Sequence, residues 1–330
     1  MNGVGPRARP FGFSRGRPCV QAPPVPSPAF FVQNRGLSVA VHRLGSAEGA
    51  PVLALHGFLD HGRAFARAAD AASDVTVYAP DARGHGASGW VGSGGYYHFY
   101  DYLDDLQRVL ARLPPDLGLV GHSMGGTLAL ALAALNPGRF RWLLLLEGMG
   151  PPSHAPDDTP ERLRAWLRAL VPDRVGDVDV RSRHRTRMDS AEEAADRLVR
   201  LNPRLAPDHA RELASSFTEP HPLGGVTWRF DPMHRTPSAK PFRLDEVFPL
   251  WRRIEIPVTS VWGERGFHPD RLAERHACLT DLEVGVIDGA GHNLHHERPE
   301  VVGELITRLA AGTPGFPATV HPARADLSRR

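Results

Sequence analysis

The chain has 330 residues, 42% of them hydrophobic, enough for one large α/β domain that carries an insertion. Its 39 basic and 37 acidic residues nearly cancel, which argues against a wholesale nucleic-acid binder. Two cysteines, Cys19 and Cys278, cannot build a disulfide framework, and no apolar run approaches the length of a membrane span; both point to a cytoplasmic protein with no membrane partner. Lys240 is the only lysine, so the arginine content reads as coding bias and carries no functional weight.

Residues 1–29 are rich in proline, glycine and arginine without a carboxylate, a composition that predicts a disordered arm. From there short apolar runs alternate with helical patterns, as in a mostly parallel sheet with crossover helices. Phe30–Asn34 and Ser38–Leu44 predict an opening hairpin. Val52–Leu55, Val75–Ala79, Leu117–Val120, Trp142–Leu146, Val258–Trp262 and Glu283–Ile287 predict buried strands. The first part of this core spans 30–147 and the second 251–312. Between them, residues 148–250 show no buried-strand signal. Leu163, Trp166, Leu167 and Leu170 share one helical face there, and Ala191, Ala194, Leu198 and Leu201 another, so the segment predicts a helical cap. Residues 313–330 have no apolar periodicity and predict a disordered tail.

The strongest chemical signal is Gly121-His122-Ser123-Met124-Gly125, between a strand and a helix. A serine on so tight a turn stands above the sheet edge as a nucleophile, and flanking glycines remove the clashes that side chains would create. Met124 then sits at a helix N-terminus, where its N–H can stabilise an oxyanion. His56-Gly57-Phe58 follows another strand and offers the Phe58 N–H as a second donor, with His56 as scaffold. Asp81-Ala82-Arg83-Gly84-His85-Gly86-Ala87-Ser88 predicts a self-bonded turn in which His85 is also scaffold. Among 17 histidines, His292 in Gly289-Ala290-Gly291-His292 follows the last strand and is the candidate general base. His295 and His296 lack the spacing and third ligand of a helical metal motif, so no metal is expected, and they are read as flanking the site or facing solvent.

The order strand, His-Gly-Phe, strand, Asp81 to Ser88, strand, Gly-His-Ser-Met-Gly-Gly, insertion, strand, Gly-Ala-Gly-His resembles the α/β-hydrolase superfamily across about residues 30 to 312. The segments 56–65, 143–152 and 289–300 look like its capped serine-hydrolase-like branch. The resemblance implies a mostly parallel eight-stranded sheet flanked by helices, with the cap after the sixth strand. It also implies Ser123 as nucleophile, His292 as base and acyl hydrolysis without a cofactor. The acid departs from the common pattern. Gly266 stands where most relatives carry an aspartate, three residues after Gly263. Some capped relatives, haloalkane dehalogenases among them, carry their acid where this chain has Glu147, which makes Glu147 the first candidate. Glu264 and Asp270 are the alternatives.

The expected function is therefore cleavage of a small ester or related acyl substrate bound under the cap. Carbon–carbon bond hydrolysis by the same triad and a non-catalytic ligand binder are the competing readings. Trp166, Phe217, Trp228, Phe230 and Phe242 are candidate pocket-lining residues or the cap's own core. The run Arg181, Arg183, Arg185 and Arg187 reads as a solvated face rather than an anion site. No feature of the sequence indicates an oligomeric state.

Overall fold

The computed structural model describes residues 26–92, 95–170 and 186–323. Strands β1 (Phe30–Asn34), β2 (Leu37–Gly45), β3 (Ala50–Leu55), β4 (Val75–Pro80), β5 (Leu117–His122) and β6 (Phe140–Leu146) precede the insertion. Three short strands, β7 (Arg187–Met188), β8 (Thr218–Pro220) and β9 (Val226–Trp228), lie within it. β10 (Val258–Gly263), β11 (Leu282–Ile287) and β12 (Val320–Pro322) follow. The main sheet runs β1-β2-β4-β3-β5-β6-β10-β11-β12. Its centre, from β4 through β11, is parallel, while β1, β2 and β12 pair antiparallel.

Continuous apolar strands arise because both faces of the sheet are covered. Successive side chains alternate between the two faces. Leu53, Leu55, Leu119, Leu143 and Leu145 enter one apolar layer with residues of helices Phe99–Leu110, Met124–Leu135 and Leu244–Trp251. Val52, Ala54, Val120, Leu144 and Leu146 enter the other with residues of Ala66–Ala71 and Pro299–Ala310.

The eight strands expected from the sequence are present, and three features correct the reading. A ninth strand, β12, lies in what was read as tail: Val320 pairs with Ile287 and is buried against the second layer. Three residues are too few to show periodicity, and their burial is set by the neighbouring strand rather than by their own pattern. The insertion holds a three-stranded sheet, β7-β9-β8, beside its helices. Finally, helix Leu244–Trp251 belongs to the main core, because Leu244, Phe248 and Trp251 pack into the first layer. The cap thus ends before residue 244 rather than at 250. Its own core joins Met188, Ala194, Leu213 and Phe217, with Trp228 against them. Phe217 and Trp228 are therefore cap core, whereas Phe242 lines the main cavity. Arg181, Arg183 and Arg185 lie outside the described residues, and Arg187 pairs with Asp189.

Candidate active site

Ser123 stands between β5 and helix Met124–Leu135 with φ 50° and ψ −116°, a conformation that costs a non-glycine residue roughly 1–3 kcal/mol. Its surroundings hold it there. The Ser123 N–H donates to the Leu146 carbonyl at 3.1 Å, tying the turn to β6. A Cβ on Gly125 would lie 2.1 Å from the Leu55 carbonyl oxygen, and one on Gly126 2.3 Å from the Gly148 Cα. The turn therefore closes only with glycine at those positions. The N–H groups of Phe58 and Met124 have no acceptor among the described residues.

Glu147 follows β6 and also has positive φ, 47°. Its side chain is fully buried and every oxygen is used. Oε1 accepts from the Gly263 N–H at 2.8 Å, and Oε2 accepts from the Phe267 N–H at 2.8 Å. The His292 Nδ1–H donates to Oε2 at 2.6 Å. Gly266 explains the departure from the common pattern. A Cβ there would fall 1.5 Å from Glu147 Oε1. The carboxylate of Glu147 thus occupies the space beside position 266, arriving from β6 instead of the loop after β10. Neither alternative acid meets the imidazole. Glu264 accepts from the Gly289 N–H, and Asp270 pairs with the buried Arg275 and accepts from the Ser153 N–H.

Ser123, Met124, Glu147, His292 and Phe58 line one cavity of about 570 Å³, which Phe242, Phe267 and residues of the insertion complete. His122, not singled out in the sequence, is buried beneath it. Its Nε2–H donates to the His292 carbonyl at 2.9 Å and so positions the loop that carries the imidazole. Its place directly before Ser123 was the available signal. His56 and His85 are scaffold, as expected: the Ala82 N–H donates to His56 Nε2 at 2.9 Å and the Leu59 N–H to His85 Nε2 at 3.3 Å. Asp81 organises the turn, accepting from the N–H groups of Gly62 and Ala87 and from His42.

His295 and His296 do not face solvent. Both are buried against Asp60, with His295 Nε2 at 3.1 Å and His296 Nε2 at 3.3 Å from Asp60 Oδ2. Burial pushes the His295 imidazole down to about 3, holding it neutral. Burial would raise the Asp60 carboxyl, but His296 and His295 outweigh it and hold it well below its ordinary value. Asp60, His122 and His295 bring potential ligand atoms within 4.8 Å of one another. The Nε2 atoms of His122 and His295 are engaged in hydrogen bonds, to the His292 carbonyl and to Asp60, while the Nδ1 of each is buried without a protein partner among the described residues.

A model of the alpha/beta hydrolase family matches residues 52–305. The chain is 26% identical over 272 residues to a serine hydrolase-like protein of Danio rerio, covering 80% of this chain and 82% of that one. It is 30% identical over 247 residues to a 3-hydroxybutyrate-oligomer hydrolase of Cupriavidus necator, covering 71% and 78%. Among solved structures, a thioesterase domain from the curacin biosynthetic pathway superposes with a TM-score of 0.72 at 28% identity, covering 84% of this chain and 98% of that one. No helix among the described residues is long and apolar enough to cross a membrane.

Proposed function

The chain belongs to the alpha/beta hydrolase family, and from that premise we propose that it is a serine hydrolase of an ester or related acyl substrate held under the insertion. The observation that carries this reading is the 2.6 Å bond from His292 Nδ1 to the buried Glu147, in the cavity that Ser123 also lines. With Nδ1 committed to the carboxylate, Nε2 is the nitrogen that takes the Ser123 proton as Oγ attacks the acyl carbon. The negative oxygen of the tetrahedral intermediate is held by the Phe58 and Met124 N–H groups. Glu147 fixes the imidazole tautomer and stabilises the imidazolium, which returns its proton to the leaving group. Water, deprotonated by His292, then releases the acyl group from Ser123.

Relatives described as a hydrolase of 3-hydroxybutyrate oligomers and as a thioesterase fit an acyl substrate. A non-catalytic binder had its motive in the missing acid at Gly266; a carboxylate at that place, from Glu147, supports the enzyme instead. A free buried cysteine, Cys278, fits a cytoplasmic setting. The test is labelling with a fluorophosphonate probe, mapped by peptide mass spectrometry. The expected adduct is on Ser123, and labelling is much slower in Glu147→Gln. A folded wild-type protein that takes no label would overturn the reading.

A further inference from the structure

The cavity wall contributed by the insertion and the helix after it is cationic. Among the described residues, Arg162, Lys240 and Arg243 line it with His154, against a single carboxylate, Glu246. Two of these cations already have acidic partners. Lys240 Nζ lies 2.9 Å from Glu246, and Arg243 Nη2 lies 2.5 Å from Asp245. Arg162, part-buried in helix Thr159–Leu170, has none among the described residues. Its contacts are the His154 Nε2 lone pair and, at 3.4 Å, the Ser238 carbonyl. The acids beside it are engaged elsewhere, Glu161 with Arg164 and Asp158 with His154. His154 Nδ1 lies towards Asp158 and its Nε2 meets Arg162, so the remaining N–H groups of the guanidinium have no protein partner among the described residues.

A guanidinium in this position is matched by a planar, bidentate anion. The apolar lining of the same cavity, including Phe242, Val247 and Phe267, suits an aliphatic chain. At the floor, the Thr127 hydroxyl is buried, lines the same cavity and has no protein partner, so it is available to a polar atom of the ligand. We propose that the cavity selects acyl substrates that carry a second, ionised carboxylate, and that Arg162 binds it. This rests on the serine-hydrolase reading of the same cavity.

The experiment compares mono(para-nitrophenyl) adipate with para-nitrophenyl hexanoate, which share the reacting carbonyl and differ in the terminal carboxylate. The ratio of their kcat/KM values, corrected for spontaneous hydrolysis, is measured in wild type, Arg162→Gln and Arg162→Lys. Wild type is expected to prefer the adipate by tenfold or more. Arg162→Gln collapses the ratio towards one, and Arg162→Lys keeps part of it. A wild-type ratio near one, or a ratio unchanged by Arg162→Gln, overturns the proposal while Ser123 labelling stands. A preference seen only with hexanoyl-coenzyme A, whose charge lies on the leaving group, overturns it too. Calorimetric titration of monomethyl adipate into Ser123→Ala, with and without Arg162→Gln, reads the site without turnover. At least tenfold weaker binding in the double variant supports the carboxylate site even if no ester is hydrolysed, in which case the serine-hydrolase reading alone falls; equal binding, or none, overturns it.

Discussion

On the sheet side of the cavity, Leu143, Leu144, Leu145 and Leu146 are completely buried, and two residues with positive φ, Ser123 and Glu147, follow adjacent strands. On the insertion side, helix Thr159–Leu170 has no buried residue at all, and Leu167 is 53% exposed. The proposed reacting groups are thus mounted on the most completely buried part of the molecule. The wall that would meet the rest of a substrate is held by few apolar contacts, which is where low local stability is expected. Such a division lets one rigid site serve different substrates as the wall changes.

The largest expected effects test the rigid side. Glu147→Gln should lower kcat by about a thousandfold to ten-thousandfold, because an amide cannot hold the imidazole tautomer or its charge. Gly266→Ala should lower it by about a hundredfold, since the added methyl displaces the carboxylate. Restoring the acid from the other strand, with Glu147→Gly and Gly266→Asp together, should exceed the activity of Glu147→Gly alone; esterase kinetics on the three variants would show it.

Stability changes come next. Leu145→Ala should cost about 2–5 kcal/mol in chemical denaturation, by loss of burial and creation of a cavity. Asp60→Asn should cost about 1–3 kcal/mol, because the buried histidines lose the carboxylate that accepts from them. Acidification should act on the same region. Burial pushes the His61, His209 and His234 imidazoles down to about 4, and His295 to about 3. Between about pH 6.5 and 4 the unfolded chain therefore binds protons that the folded chain does not, so stability falls as pH falls. Tm measured from pH 7 to pH 5 should decrease. The smallest effect tests the other side: Leu167→Ser should change stability by less than about 0.5 kcal/mol. A larger loss would show that this helix is packed after all.

Strands such as Trp142–Leu146 were legible because burial on both faces writes an uninterrupted apolar run. The turn at Ser123 was legible because steric need confines its composition to glycine beside serine. Glu147 was legible through the gap at Gly266 together with the resemblance to capped relatives that carry their acid at that place, since a carboxylate after a strand is otherwise unremarked. The burial of His295 was not legible. It depends on Asp60, 235 residues away, and a polar side chain carries no pattern that reveals a distant partner. β12 and the strands of the insertion escaped for a related reason: two or three residues have no period, and their pairing is decided by the neighbour.

The arrival of the acid from β6 leaves the loop after β10 with an unusual freedom. At Phe267 the bond to Glu147 comes from the main-chain N–H, while the half-exposed ring faces the cavity and meets the His292 imidazole edge-on at 6.3 Å. Any residue other than proline supplies that N–H. Position 267 is therefore a natural entry point for directed evolution, where successive side chains can reshape the binding space while the main-chain bond to Glu147 is inherited.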